Sequence, residues 1–182
     1  MKEKLLISAC LLGRCCKYNG GHNLHPLAEQ LGEKYELVAV CPESFGGLPI
    51  PREPSERVGD RVLSKSGLDV TTAFRRGAER AVELAKKTGA KKAVLKERSP
   101  SCGFGKIYDG SFTGTVIPGN GVAAQALAAE GASLDKAQQY AQTASEQLKQ
   151  AREGIPDETE VLKGMRSALE QSEAALGEIL AL

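Results

Sequence analysis

The sequence predicts an α/β fold in which a small, mostly parallel sheet carries helices on both faces, in a Rossmann-like arrangement, followed by a C-terminal helical hairpin. Short apolar runs rich in β-branched residues alternate with segments whose apolar residues recur at helical spacing. Strands that are joined by helical crossovers lie parallel to one another. The last fifty or so residues differ in character, being rich in Ala, Gln and Glu, and this predicts the hairpin.

The first half of the sheet is predicted from two apolar runs. Residues 5–9 form a short run that ends at Cys10, which suits a buried first strand. Helical spacing over residues 24–31 predicts a short helix that stops at Gly32. Residues 36–40 give the second strand, which ends at Cys41 because the proline that follows cannot continue a strand ladder.

The second half supplies the remaining elements. The proline-rich residues 44–54 predict a long loop, and residues 72–87 predict a helix that ends before Gly89. Residues 93–95 form a third strand, Asp109-Gly110 is a signal for a tight hairpin turn, and residues 122–129 form a further helix.

Two domains are expected from these patterns, an α/β domain over residues 1–132 and a helical hairpin over residues 133–182. Leu134, Ala137, Ala141, Ala144, Leu148 and Ala151 follow a seven-residue repeat, and a second repeat runs from Leu162 to Ile179. Such narrow apolar seams are typical of helix pairs. We expect the hairpin to serve packing or homodimer formation in preference to binding a foreign partner.

Composition narrows the functional classes. The net charge of +1, the 4% aromatic content and the absence of Trp disfavour a nucleic-acid partner, which normally requires a basic surface or stacking aromatics. No apolar run approaches the length needed to span a membrane. Ile7-Ser8-Ala9-Cys10 resembles a lipoprotein cleavage box, but the apolar run before it is too short for a signal peptide. We therefore expect a cytoplasmic protein.

Three cysteines are predicted to converge. Cys10 and Cys41 end two parallel strands, and Cys102 lies in the loop that leaves the third. Ligands of such sheets bind at the carboxyl ends of the strands. Three thiolates suit soft metals or an iron-sulfur cluster, whereas structural zinc normally uses spaced Cys pairs, which are absent from this sequence. A cluster, a zinc ion and plain buried thiols all stay open on spacing alone.

Several separated motifs carry a family resemblance: Ser8-Ala9-Cys10-Leu11-Leu12-Gly13, Tyr18-Asn19-Gly20-Gly21, Cys41-Pro42-Glu43, Gly46-Gly47-Leu48, Pro51-Arg52-Glu53-Pro54, Leu95-Lys96 and Ser99-Pro100-Ser101-Cys102-Gly103. Together they resemble the 2-thiouracil desulfurase family over roughly residues 4–131. The resemblance implies a [4Fe-4S] cluster bound by Cys10, Cys41 and Cys102. It also implies that sulfur is removed from a thiocarbonyl group by net hydrolysis, without redox change. The substrate would be a small thiolated base or nucleotide. Past Gly131 the chain departs from the family pattern, which leaves the sheet size and the oligomeric state open.

Other polar residues near the motifs are candidate catalytic or binding groups. Our hypothesis is that Glu43 handles protons, and that Ser99 and Ser101 orient substrate or relay a proton. The structural alternatives are a helix start at Glu43 and a capping turn at the serines. Arg52 and Lys96 could bind an anionic group of the substrate, or pair with Glu53 and Glu56.

Two residue pairs are predicted to lie outside the chemistry. His22 and His25 have a spacing that suits metal binding, but their place in or beside a loop favours the surface. Cys15 and Cys16 follow no predicted strand, so we expect neither to be a ligand.

A second functional class, a metal-binding or cluster-carrying module without chemistry, would have no use for Glu43. Substitution of Glu43 should therefore separate the two classes: an enzyme would lose turnover with the cluster still bound, and a carrier would lose nothing.

Overall fold

The computed structural model describes residues 2–131, which form a mixed α/β structure around a three-stranded parallel sheet. Its elements, in chain order, are β1 (Glu3–Ser8), a 3-10 turn (Ala9–Leu12), α1 (Leu27–Lys34), β2 (Tyr35–Val40), α2 (Pro42–Phe45), β3 (Ser55–Val58), β4 (Arg61–Ser64), α3 (Thr71–Thr88), β5 (Lys92–Val94), β6 (Lys106–Tyr108), β7 (Val116–Pro118) and α4 (Val122–Ala129). None of the helices in this range is long and apolar enough to cross a membrane.

The parallel sheet has the strand order β2-β1-β5, which confirms the predicted parallel pairing. Leu5 of β1 lies opposite Leu37 of β2, and Leu6 lies opposite Ala93 of β5. Because β1 is central, its apolar residues Leu5, Leu6 and Ile7 are almost completely buried. The placement of helices on both faces and the Rossmann-like topology stay predictions.

The core lies where α3 and α4 pack together and against the sheet. Its buried residues are Leu6, Val40, Ala81, Ala85, Ala90, Ala93 and Leu127. The small alanines of α3 let α4 approach closely, and Gly89 ends α3 in the left-handed conformation that glycine favours.

Two local expectations were wrong. Helix α1 begins after Pro26 and runs through Gly32 to Lys34. The strand β6 pairs with β7 across the seven-residue loop 109–115, not through a tight turn at Asp109-Gly110.

The antiparallel hairpin β3–β4 was not predicted, since its four-residue strands give little periodic signal. The predicted hairpin of residues 133–182, with the homodimer it would form, lies outside the described residues.

Helix α3 contacts α2 through glycine, and this contact holds the segment that follows β2. A Cβ atom on Gly77 of α3 would lie 1.9 Å from the carbonyl oxygen of Pro42 in α2, and one on Gly46 would lie 2.1 Å from the carbonyl oxygen of Ala73. Arg76 and Arg80 of α3 also donate hydrogen bonds to the carbonyl oxygens of Gly46 and Phe45. Backbone contact of this kind excludes any side chain larger than hydrogen.

Gly77→Ala should therefore lower the free energy of unfolding by about 1–3 kcal/mol, the usual cost of overpacking. The matched control is Gly32→Ala in α1, where the new methyl would meet only Leu37 at 3.7 Å. That variant should be neutral or stabilising by up to about 1 kcal/mol, because alanine is the better helix former. Urea unfolding of both variants checks the pair, and equal effects of the two substitutions would contradict the close contact.

Candidate active site

The carboxyl ends of the parallel strands open onto a cavity of about 550 Å³ that Cys10, Cys41 and Cys102 line together. Cys10 lies in the 3-10 turn after β1, Cys41 directly follows β2, and Cys102 lies in the loop after β5. The three cysteines therefore lie together at one edge of the sheet, as the sequence predicts.

Each of the three thiols has a polar side chain as a neighbour. The Asn23 side-chain amide lies 3.8 Å from the sulfur of Cys10, and the Ser44 hydroxyl donates a 3.2 Å hydrogen bond to the sulfur of Cys41. The Ser8 hydroxyl accepts a hydrogen bond from the Lys96 amide and is hydrogen-bonded to Cys102. Donors placed around ligand sulfurs are a common means of tuning a metal centre.

Burial dominates the electrostatics of the thiols. Burial raises the pKa of Cys102. It also raises the pKa of Cys10, although the Asn23 hydrogen bond and the charge of Lys96 lower that pKa in part. Burial and the neighbouring Cys41 and Cys10 raise the pKa of Cys16 to about 12. Because metal ligands must be thiolates, loading of a metal group at Cys10 and Cys102 requires proton release.

The donor set suits a cluster better than a single ion. Across residues 2–131, no three His, Cys, Asp or Glu side chains lie close enough together to hold one metal ion. A zinc ion, with Zn–S bonds of about 2.3 Å, would need its sulfurs close together. A four-iron cluster is larger, so its cysteines stand farther apart around a cavity. Three thiols that line one cavity from three separate segments fit such a larger group.

Glu43 and Arg52 form a largely buried ion pair on the cavity wall. The guanidinium Nε and Nη2 of Arg52 lie 2.9 and 2.5 Å from the same carboxylate oxygen of Glu43. The Arg52 side chain is 7% exposed and also donates to the carbonyl oxygens of Cys16 and Pro49. The partner of Arg52 is therefore Glu43, and not the Glu53 or Glu56 considered from the sequence.

The serines of the Cys102 loop have different positions. Ser99 lines the cavity, and its hydroxyl accepts hydrogen bonds from the amides of Ser101 and Cys102 at 3.1 and 3.0 Å. Ser101 is fully buried and lies outside the cavity lining, and its hydroxyl has no partner within residues 2–131. The structure thus brings Ser99, but not Ser101, to the cavity surface.

The remaining candidates divide between the cavity and the surface. Lys96 lines the cavity, and its ammonium group donates to the Glu97 carbonyl oxygen. Cys16 also lines the cavity, whereas Cys15 is exposed. His22 is exposed and His25 half-buried, and each ring accepts a hydrogen bond from a backbone amide two residues later.

Sequence reasoning did not assign several residues of the cavity lining to the site. Tyr18, Glu56, Tyr108 and Phe112 are four of them. They lie in loops and in two-stranded hairpins, where no periodic pattern indicates which way a side chain faces. The DG dipeptide at Asp109-Gly110 marked a turn near Phe112, but nothing in the sequence related that turn to Glu56.

Comparisons with known proteins identify the family. The model of the 2-thiouracil desulfurase family matches residues 5–139. The Bacillus subtilis (strain 168) protein YbbK, described as uncharacterised, is 40% identical over 133 residues, which cover 68% of this chain and 88% of YbbK. A solved structure of the [4Fe-4S]-dependent thiouracil desulfidase TudS is similar with a TM-score of 0.71 and 43% identity, over 79% of this chain and 99% of TudS. On these matches, the chain belongs to the 2-thiouracil desulfurase family.

Proposed function

We propose that this protein is an enzyme that releases sulfide from a thiolated pyrimidine such as 2-thiouracil, with a [4Fe-4S] cluster held by Cys10, Cys41 and Cys102. The observation that carries the proposal is the common cavity of these three cysteines and Glu43. The [4Fe-4S] dependence and the thiouracil substrate of the structural neighbour TudS support it. A non-catalytic cluster carrier would have no need for the paired carboxylate in the wall.

In the proposed reaction the thiocarbonyl is hydrolysed. Water supplies the oxygen of the new carbonyl group, the carbon–sulfur bond breaks, and the sulfur leaves as hydrogen sulfide, so no atom needs an external oxidant or reductant. When bound, a cluster held by three cysteines has one iron without a protein ligand, which supplies a Lewis acid for soft sulfur.

We assign the handling of protons to Glu43. Its carboxylate faces the cavity and keeps one oxygen, Oε1, outside the Arg52 hydrogen bonds. That oxygen accepts a proton from the attacking water and returns one to the leaving sulfur or to the ring. Arg52 fixes the carboxylate in one orientation through a planar, two-nitrogen contact, which a lysine could not make. We therefore assign Arg52 to positioning Glu43 more than to direct contact with substrate.

Lys96 and the serines complete the assignment. The Lys96 ammonium group brings positive charge to the Cys10 side of the cavity, where it favours anionic groups. The Ser99 hydroxyl holds the Cys102 loop through two backbone amides and keeps its own proton available to the cavity. The Ser101 hydroxyl lies outside the cavity lining, so we assign it no contact with substrate.

The test is anaerobic purification, analysis of iron and acid-labile sulfide, and an assay of sulfide release from 2-thiouracil. About four irons and four sulfides per chain are expected, as a cubane requires, together with formation of uracil and sulfide in equal amounts. Zinc in place of iron, or no metal after anaerobic reconstitution, would remove the cluster from the proposal. If the protein binds a complete cluster but releases no sulfide, the enzyme function is wrong and the non-catalytic carrier function remains.

A further inference from the structure

Aromatic residues are few in this chain, and some of them line the cavity. The sequence has four phenylalanines, four tyrosines and no tryptophan. Tyr18, Tyr108 and Phe112 of this small set line the cavity. Aromatic side chains offer flat apolar faces on which planar rings stack, so these residues add to the cavity lining a chemistry that its thiols lack.

Phe112 reaches the cavity from the loop between β6 and β7. A hydrogen bond from the Asp109 amide to the Thr115 carbonyl oxygen, 3.1 Å long, closes this loop. Phe112 is half-buried, whereas its neighbours Ser111 and Thr113 are exposed. The loop therefore turns a single large apolar side chain inward.

The backbone at Phe112 is held in an unfavourable conformation. Phe112 and Arg98 are the non-glycine residues with positive φ within residues 2–131, both at 57°, and both line the cavity. A bulky residue in the left-handed region is strained, and such strain persists where the surroundings enforce it, commonly at functional sites.

Glu56 is the residue that enforces this conformation. Its carboxylate, on β3, accepts hydrogen bonds from the amides of Gly110 and Phe112 at 2.9 and 3.0 Å. Glu56 is only 8% exposed, and no ion pair to it is found in the described part of the chain. Hydrogen bonds from backbone amides stabilise a buried carboxylate of this kind. The charge of Glu56 therefore stabilises the conformation of the loop.

The close packing of the loop against β3 supports the same conclusion. A Cβ atom on Gly110, whose φ is 91°, would lie 2.4 Å from a methyl group of Val58. The close contact of Gly110 with Val58 and the hydrogen bonds to the Glu56 carboxylate, both from β3, thus fix the path of the chain just before Phe112.

We propose that Phe112 and Tyr108 form the stacking surface for the planar ring of the substrate, and that Glu56 is the positioning residue that holds Phe112 against that ring. The proposal rests on the proposed function, because the ring is that of a thiolated pyrimidine. Stacking on a flat aromatic face selects a planar heteroaromatic ring over other thiocarbonyl compounds and orients its thiocarbonyl group within the cavity.

The decisive variant is Phe112→Leu, compared with Phe112→Tyr. Leu, Tyr and Phe are similarly disfavoured at positive φ, so the comparison isolates the aromatic ring from the backbone strain. We expect Phe112→Leu to raise the KM for 2-thiouracil and the calorimetric Kd for uracil roughly tenfold, within the range measured for base–aromatic stacking. The kcat should change much less, and Phe112→Tyr should restore near-normal values.

Two further variants separate positioning from general damage. Glu56→Gln keeps the size of the side chain but removes its charge, so it should raise the KM about threefold to tenfold with normal iron content. Tyr35→Leu removes an aromatic ring that lies on β2, outside the cavity lining, and should leave both KM and Kd unchanged.

The outcomes distinguish this proposal from the proposed function. If Phe112→Leu keeps the wild-type KM and Kd, the stacking role is wrong even where turnover is normal. If the cluster-loaded wild type binds uracil through Phe112 but releases no sulfide from 2-thiouracil, the reaction is wrong and the ring-binding surface stands. If the wild type neither binds uracil nor acts on 2-thiouracil, both are overturned.

Discussion

Replacement of Cys102 with alanine should abolish cluster binding and sulfide release together. Three thiolates are the whole set of protein ligands in the proposed cluster, so the loss of one would leave two of its four irons without a protein ligand. Iron should fall from about four per chain to near zero after anaerobic reconstitution, with turnover below detection. Cys10→Ala and Cys41→Ala should do the same. Iron analysis, the absorbance spectrum and a sulfide assay on each variant provide the measurement.

Two other cysteines supply matched controls for this result. Cys15 is exposed and outside the cavity lining, so Cys15→Ala should retain iron and turnover. Cys16 lines the cavity beside Cys41, and Cys16→Ala should also retain its iron if the ligand set is complete without it. Iron loss in the Cys16 variant, with retention in one of the three ligand variants, would show that the ligands are assigned wrongly.

Glu43→Gln should lower kcat by about 10²–10⁴-fold while the cluster stays bound, since that is the usual contribution of a positioned acid or base. The amide oxygen of glutamine can still accept the hydrogen bonds of Arg52, so the wall should keep its shape. Iron content and the absorbance spectrum should match those of the wild type, and a thermal melt should show that the variant remains folded.

The control for Glu43 is another carboxylate of the same cavity. Glu97 also lines the cavity, but its side chain is 70% exposed. Glu97→Gln should therefore change kcat by no more than a few-fold. If the Glu43 and Glu97 variants have similar turnover, the charge of the cavity matters more than a specific proton acceptor, and the catalytic role of Glu43 fails.

The convergence of the cysteines could be predicted because it depends on short-range information. Cys10 and Cys41 directly follow apolar runs that form β1 and β2, and parallel pairing then brings the ends of both strands to one edge. The side chain of Cys102 is farther from its strand, yet the loop that carries it leaves β5 at that same edge. The positions of the strands in the sequence were therefore enough to predict that the three cysteines lie together.

The position of Phe112 in the cavity lining could not be predicted because it depends on contacts between residues far apart in sequence. Asp109-Gly110 favours a two-residue hairpin turn locally. The Glu56 carboxylate, 54 residues before Gly110, takes the amides of Gly110 and Phe112 instead. A buried charge-assisted contact outweighs a turn preference, so the loop widens and Phe112 turns toward the cavity. The same reasoning applies to Arg52. The loop that carries it has no periodic pattern, so its ion pair with Glu43 could not be predicted.

The contacts of Arg52 also restrict how this site can change during evolution. Arg52 binds Cys16 and Pro49 through their main-chain carbonyl oxygens, which every amino acid provides. Residues 16 and 49 can therefore be replaced without loss of these hydrogen bonds. The contact with Glu43 depends on the side chain, and a change at either residue 43 or residue 52 alone would leave a largely buried charge without its partner. Divergent sequences that keep this cavity should thus vary freely at two of the three positions to which the Arg52 side chain is hydrogen-bonded, and should change the third only together with Arg52.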